Sequence, residues 1–226
     1  MRKNSGTLYL VGTPIGNLED MTQRALNTLK QVDIIACEDK RRSQTLLNHF
    51  GITGKRLLVH NQVNERKSAP GLVKLLEDGA NIALVTDSGM PSISDPGYIL
   101  VKAAQEAEIQ TQPIPGITAV ATALAGAGLP AARFIFLGFL PRKVGEQTRL
   151  LERFKDAPEA LVIYESPQRL GKTLALAANA LGERQACICK ELTKLHETFD
   201  KGTLAELVEK YAEQEIKGEI TLIISS

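Results

Sequence analysis

Short apolar runs alternate with amphipathic stretches along the first half of the chain. Apolar runs predict strands, and they cover residues 7–11, 34–37, 57–59, 82–86 and 111–114. Helical periodicity predicts helices between them, over residues 21–32, 43–50 and 98–107, and the end of a helix over residues 71–77, with Asp20 as the N-cap of the first. Strands and helices that alternate at this pitch predict βαβ units and a mainly parallel sheet, with loops gathered along one edge.

A second series of elements follows an Ala-rich helix predicted over residues 119–127. The pattern predicts strands over residues 134–137, 161–164, 185–190 and 219–226, and helices over residues 145–154, 168–181 and 205–211. We therefore predict an α/β fold with two lobes, residues 1–116 and 117–226. Each lobe is expected to have a mainly parallel or mixed sheet flanked by helices, with a cleft between the lobes.

Three loops rich in glycine and proline follow predicted strands. The longest lies within Leu84–Gly97 (LVTDSGMPSISDPG), and the others are Gly12–Asn17 and Pro113–Thr118. Glycine lets backbone approach a ligand closely, and proline restricts a loop to one shape. This layout is typical of ligand binding at the carboxyl edge of an α/β sheet, although a rigid connection without a ligand fits it equally well.

The composition of the 226 residues is that of a soluble globular protein: 43% are hydrophobic, 23% are charged and the net charge is +1. The three cysteines do not fit a disulfide framework, which predicts a cytoplasmic setting. No apolar run approaches the roughly 20 residues that a membrane helix needs, so no membrane association is expected. The near-zero net charge argues against binding nucleic acid by bulk electrostatics, but it allows a local basic patch. Cys37, Cys187 and Cys189 are expected to be reduced and mostly buried, with the side chains of Cys187 and Cys189 on opposite sides of a strand.

Common phosphate and hydrolase motifs are not found in the sequence. It has no GxxxxGK[ST], no GxGxxG and no GxSxG pattern, which argues against P-loop, dinucleotide-binding and hydrolase functions. The spacing of His49, His60 and His196 does not fit a metal site, so we predict surface or core histidines and no metal.

Seven motifs, taken together and in order, carry a resemblance. They are GTPIGNLED (12–20), EDKR (38–41), SGMPSISDPG (88–97), PG (115–116), GFLPR (138–142), YESPQR (164–169) and ELTK (191–194). The set resembles the ribosomal RNA small subunit methyltransferase I family of the tetrapyrrole methylase superfamily. The resemblance implies a two-lobed methylase fold, S-adenosylmethionine (SAM) as methyl donor and a homodimer. It also implies, as substrate, the ribose 2′-hydroxyl of a cytidine in the decoding region of 16S rRNA within the small ribosomal subunit.

The resemblance also implies which residues contact SAM. Carried over motif by motif, they are Pro14, Ile15, Ser88, Gly89, Met90, Ile93, Thr118, Ala119, Leu140 and Tyr164. Tetrapyrrole-type relatives tend to have Asp where this chain has Met90, so an Asp contact to the cofactor is not expected here. Ile15, Ile93 and Ala119 could instead be ordinary core residues, since ligand pockets and cores have similar compositions.

Two charged clusters are candidates for the chemistry of methyl transfer to a hydroxyl. One is EDKRR (38–42), and the other consists of Lys190, Glu191 and Lys194. We expect Glu38 or Glu191 near the hydroxyl and Lys190 or Lys194 stabilising the alkoxide. Phosphate contacts are expected from Arg41, Arg42, Arg142, Lys143 and Arg169. Both clusters could also be solvated surfaces with ordinary ion pairs. Gln168 stands where many relatives have His, so no imidazole base is expected.

Two other functions remain open from the sequence. A sibling of the superfamily that methylates a small molecule would need an apolar trough, which ten aromatic residues and charged loops fit less well. A non-catalytic RNA-binding module that retains SAM would be expected to have lost its charged clusters, yet both are present.

Overall fold

The computed structural model describes residues 5–212, 214 and 216–225. It divides into two compact units, the first ending at Thr118 and the second beginning at Ala119. The predicted border after residue 116 lies two residues earlier. Within the described residues each unit contains one five-stranded sheet flanked by helices, so the predicted α/β fold is confirmed.

All strands of the first sheet are parallel, in the order β3-β2-β4-β1-β5. The strands are β1 (Thr7–Val11), β2 (Ile34–Cys37), β3 (Arg56–Val59), β4 (Ile82–Leu84) and β5 (Gln110–Ile114). The helices are α1 (Gln23–Gln31), α2 (Lys40–His49), α3 (Glu65–Glu77) and α4 (Tyr98–Glu106). Both faces of the sheet carry a core cluster, one with helix residues from α1 and α2 and one with residues from α3 and α4. Burial on both faces explains why β2 is apolar throughout.

The second sheet is mixed, in the order β6-β7-β10-β8-β9. Its strands are β6 (Phe134–Phe139), β7 (Ala160–Glu165), β8 (Gln185–Lys190), β9 (Thr198–Thr203) and β10 (Ile220–Ile224). Its helices are α5 (Ala119–Gly126), α6 (Val144–Glu152), α7 (Leu170–Leu181) and α8 (Leu204–Tyr211). β10 is antiparallel to both β7 and β8, and β6 is parallel to β7. The carboxyl ends of β6, β7 and β8 therefore lie along the same edge.

Two helices of the first unit begin at other residues than the sequence predicts. Thr22, not Asp20, caps α1, because its side chain accepts a hydrogen bond from the Ala25 amide. α2 begins three residues before the predicted start, because Asp39 caps it by accepting from the Arg41 amide at 2.7 Å. α3 spans Glu65–Glu77 and contains Pro70; the sequence predicted only the end of this helix, residues 71–77, and left its start open.

Two further predictions for the second unit are wrong. β9 was not predicted; its sequence TFDKGT has little apolar alternation because it is an edge strand. The side chains of Cys187 and Cys189 lie on the same side of β8, with 3.8 Å between the two sulfur atoms. Residues two apart in a strand share a face, so the expected opposite orientation was a geometrical error. Both cysteines are buried and unpaired by disulfides, as is Cys37.

Among the described residues, no helix combines the length and the apolarity needed to cross a membrane.

Candidate functional site

The loops that follow β1, β4 and β5 meet at the carboxyl edge of the first sheet. Gly12 and Gly116 bring two of these loops into backbone contact, since a Cβ built on Gly12 would lie 2.7 Å from Gly116 Cα. The same Cβ would lie 2.6 Å from the sulfur of Met90, in the third loop. Side chains at either glycine would therefore force the loops apart. The glycines make a cradle of bare backbone at this edge.

Hydrogen bonds hold the loops after β1 and β4 together. Thr13 and Gly89 exchange backbone hydrogen bonds of 2.9 and 3.1 Å, and the Thr13 hydroxyl donates to the Thr86 carbonyl at 3.1 Å. This pairing places Ile15 against the backbone of Gly89, which has φ +82°. Pro14 is also buried.

The predicted SAM contacts on these loops and at the start of α5 differ in exposure. Ile15 is 8% exposed and Ile93 is 47% exposed, and Ser88, Met90 and Thr118 are half-buried. Ala119, the first residue of α5, is half-buried as well. The structure thus gathers Pro14, Ile15, Ser88, Gly89 and Met90 on two paired loops, while Ile93 extends further into solvent.

The loop after β4 has an unusual backbone. Ser92 and Ser94 have φ of +70° and +60°, values that are uncommon outside glycine. Such strain is found preferentially at ligand clamps and active sites. Two buried polar atoms of this loop, Asp87 Oδ1 and Ser92 Oγ, have no hydrogen-bond partner among the described residues. The loop therefore offers polar atoms that a ligand can satisfy.

Three carboxyl groups cluster beside this loop. Glu38 follows β2, and its Oε1 accepts a hydrogen bond of 3.3 Å from the Asp87 amide, which follows β4. Asp87 pairs with Arg42 at 3.2 Å. Burial, followed by the charges of Glu38 and Asp87, raises the pKa of Asp95 to about 7. Burial is also the main cause that raises the pKa of Glu38. The cluster thus holds two carboxyl groups with weakened acidity.

Sequence reasoning missed Asp87 and Asp95. Asp95 is the one acidic residue of the Ser88–Gly97 loop and stands between Pro91 and Pro96, a signal that was available but not used. No group of three His, Cys, Asp or Glu residues in the described part of the chain has the arrangement of a metal site.

The edge of the second sheet holds the remaining predicted contacts to SAM. Phe139 and Tyr164 face each other at the ends of β6 and β7, with ring centroids 5.6 Å apart. Tyr164 also contacts Phe136 edge to face, at 4.9 Å between centroids. Leu140 is 2% exposed, and its side chain packs in the core.

Arg169 is committed to a network inside the second unit. Its Nη2 donates to the carbonyls of Leu140 and Pro141 at 3.0 and 3.1 Å, and its Nε lies 3.4 Å from the Glu165 carboxylate. Glu165 is buried and also accepts a 2.6 Å hydrogen bond from the Thr173 hydroxyl. Arg169 therefore fixes the turn after β6 and neutralises a buried charge, whereas Arg142 and Lys143 in that turn are exposed.

Glu191 and Lys194 form a second network, at the end of β8. Glu191 Oε1 accepts from the Glu219 amide at 2.8 Å and from Lys194 Nζ at 2.9 Å. Lys194 also pairs with the Glu219 carboxylate at 3.1 Å. The amide hydrogen bond, and next the one from Lys194, lowers the pKa of Glu191. Lys190 is half-buried beside this network, as the last residue of β8.

Comparison of the sequence with known proteins shows the family of this chain. The tetrapyrrole (corrin/porphyrin) methylase family matches residues 7–208. A ribosomal RNA small subunit methyltransferase I from Halalkalibacterium halodurans is 49% identical over 223 residues, which are 99% of this chain and 77% of that protein. The chain belongs to the ribosomal RNA small subunit methyltransferase I family. A member of this family from Thermotoga maritima is 44% identical over 97% of this chain and 98% of its own length.

Solved structures agree on the fold of the family. Uroporphyrin-III C-methyltransferase from Thermus thermophilus, solved with S-adenosylhomocysteine, superposes with a TM-score of 0.69 over 98% of both chains, at 17% identity. The chain is thus a methyltransferase of the SAM-dependent tetrapyrrole methylase fold, and SAM is its cofactor. The bare backbone at Gly12 and Gly116 and the unpartnered polar atoms of the loop after β4 fit such a ligand.

Proposed function

We propose that this protein transfers a methyl group from SAM to the ribose 2′-hydroxyl of a cytidine in the decoding region of 16S rRNA. The observation that carries the proposal is the 49% identity, over 99% of this chain, to a protein named for methylation of small-subunit ribosomal RNA. The acidic cluster beside the loop after β4 supports it, because transfer to a hydroxyl needs a proton acceptor.

In this proposal the cofactor is bound by backbone more than by charged side chains. We propose that Ser88, Gly89 and Met90, in the strained loop after β4, contact SAM through their backbone. Pro14 and Ile15 supply apolar surface. Thr118, Ala119, Ile93, Tyr164 and the backbone of Leu140 are the further contacts we propose. When bound, SAM supplies an electrophilic methyl group on a sulfonium. Holding acceptor and donor aligned contributes on the order of 7–11 kcal/mol at best.

We propose Glu38 and Asp95 as the proton acceptors. A ribose hydroxyl is a very weak acid, and a base works best with a pKa near the working pH. Burial raises the pKa of Glu38, and it raises the pKa of Asp95 to about 7. Glu191 is less suited, because its carboxylate is already hydrogen-bonded and its pKa is lowered. Lys190 remains our candidate for stabilising the alkoxide, since Lys194 is held by two carboxylates.

The RNA is proposed to contact exposed basic residues near both sheet edges. Arg41 and Arg42 lie in the first turn of α2, and Arg142 and Lys143 follow β6. We assign Arg169 a positioning role instead, because its guanidinium already holds two carbonyls and Glu165. As in the family resemblance, we propose a cytoplasmic homodimer acting on the small ribosomal subunit.

The test is methyl transfer from labelled SAM to small subunits that lack their own ribose methylation. The wild-type chain is compared with Glu38→Gln, Asp95→Asn and Glu191→Gln, and SAM affinity is measured for each by calorimetry. We expect Glu38→Gln or Asp95→Asn to lose about 10²-fold or more of the transfer rate at unchanged SAM affinity, as for loss of a general base. The proposal is overturned if the wild-type chain binds SAM but labels neither subunits nor naked rRNA.

A further inference from the structure

A β-bulge determines where the side chain of Phe139 points. β6 pairs with β7 in parallel, and the register runs from Phe136 opposite Val162 directly to Gly138 opposite Ile163. Leu137 is the additional residue of the bulge. Gly138 has φ +61°, a conformation that favours glycine. The bulge thus shifts the register of β6 by one residue, with glycine at the position whose backbone requires it.

The shift moves Phe139 to the other face of the sheet. Side chains alternate along a strand, so in a regular strand Phe139 would share the face of Leu137, which packs among the helices. With the bulge, Phe139 lies opposite Tyr164, on the same face as Phe136. Bulges recur next to active sites because they re-aim a side chain in this way.

Phe139 is exposed and yet supported. Its side chain is 59% exposed, while Phe136 and Tyr164 beside it are half-buried. The ring of Phe139 meets that of Tyr164 at 61°, with 5.6 Å between centroids. A supported aromatic ring has little conformational freedom left to lose on binding, which makes it a good contact surface. Because most of the Phe139 ring stays exposed, its burial contributes little to the stability of the fold.

Positive charge lies in the turn that follows directly. Arg142 and Lys143 are exposed, three and four residues after Phe139. The backbone of this turn is fixed, because Arg169 donates to the carbonyls of Leu140 and Pro141. Proteins that bind single-stranded nucleic acid combine aromatic rings for the bases with cations for the phosphates. Phe139 and the two exposed cations that follow it in sequence have this composition, and Lys143 Nζ also lies 3.3 Å from the exposed Glu146 carboxylate.

We propose that Phe139 is the stacking surface for an unstacked base of the RNA substrate, with Arg142 and Lys143 on the adjoining phosphates. The proposal rests on the proposed function, because it takes the partner to be RNA. Tyr164, a proposed SAM contact, touches the same ring. The stacked base therefore belongs to the methylated nucleotide or to its neighbour.

The test compares variants that keep or remove a flat ring. Phe139→Leu retains apolar volume without a π-face, and Phe139→Trp retains the ring. Phe134→Leu is the matched control, because Phe134 is 47% exposed at the opposite end of the same strand. For each variant, kcat and KM for small subunits, SAM affinity and solution mass are measured.

We expect Phe139→Leu to lower kcat/KM for subunits by about 5- to 150-fold, the range for loss of one base–aromatic stack. SAM affinity should stay within about twofold, and Phe139→Trp and Phe134→Leu should remain close to wild type. Unchanged kcat/KM in Phe139→Leu, with the wild type active, overturns the stacking role alone. A variant that changes solution mass, or loses SAM affinity in parallel, would assign Phe139 to a subunit contact or to the cofactor instead. A wild-type chain that methylates no subunits overturns the proposed function and this role with it.

Discussion

Asn in place of Asp95 is expected to stabilise the first unit at alkaline pH and to remove one of the two proposed proton acceptors. The ordinary pKa of an Asp carboxyl is 3.8, and in the folded protein burial and the charges of Glu38 and Asp87 raise that of Asp95 to about 7. Between these pH values the folded protein retains a proton that the unfolded chain has released. Stability conferred by the protonated form therefore falls as pH rises through this window, by about 1.4 kcal/mol per pH unit.

The magnitude follows from the width of that window. About three pH units correspond to a penalty of about 4 kcal/mol above pH 7 as an upper bound, and partial solvent contact reduces it. Asp95→Asn removes the penalty, so we expect the free energy of unfolding at pH 8 to rise by about 2–4 kcal/mol. At pH 4.5 the gain should be at most about 1 kcal/mol, because most of the window lies above that pH.

Hydrogen exchange of the amides in β2 and β4 measures this locally, since the two units need not unfold together. Wild type and variant are compared at the same pH, so the intrinsic exchange rate cancels. Asp78→Asn is the control: Asp78 lies on the surface of the same unit, paired with Lys74, and its loss should cost at most about 0.5 kcal/mol at either pH. Equal protection of Asp95→Asn and wild type at pH 8 would refute the reasoning, because it would mean that Asp95 is already ionised at no cost.

Three further changes test other parts of the account. Gly12→Ala should weaken SAM binding, measured by calorimetry, by about tenfold or more, because the new Cβ would lie 2.7 Å from Gly116 Cα. Gly145→Ala is the control and should bind SAM normally, because a Cβ at Gly145 meets no atom within 4 Å. Equal affinities would contradict the proposed cradle. Arg169→Met should destabilise the second unit by about 3–5 kcal/mol in urea denaturation, since it leaves the Glu165 charge buried and unpaired; a loss under 1 kcal/mol would argue against that ion pair. Arg142→Ala should lower the slope of log affinity for RNA against log salt by about 1, and an unchanged slope would exclude a phosphate contact.

The sequence predicted the alternation of strands and helices well because buried parallel strands are continuous apolar runs. β2 and β4 have no exposed residue, so their sequences, IIAC and IAL, are apolar throughout and predict buried strands. The edge strand β9 was not predicted for the opposite reason. It pairs with one neighbouring strand only, so its sequence is largely polar and lacks an apolar run. Only the end of α3 was predicted, because a proline such as Pro70 usually lies at a helix boundary and not inside a helix.

The site could be predicted only as far as motifs carry it. The loops around Gly12 and Gly89 stand out by their glycines and prolines, and the structure joins them through Thr13. The weakened acidity of Asp95 could not be predicted, because it arises first from burial and then from the charges of Glu38 and Asp87, which follow two neighbouring strands. The orientation of Phe139 was equally hidden, since a bulge of one residue leaves no periodic signature in so short a strand.

The identity of the methylated atom tests the central claim most directly. Small subunits lacking ribose methylation are incubated with the wild-type chain and SAM, and their 16S rRNA is digested to nucleosides and oligonucleotides for mass spectrometry. The account predicts one new 2′-O-methylcytidine, in an oligonucleotide from the decoding region. A methyl group on a base, at another ribose, or nowhere in the RNA would contradict it.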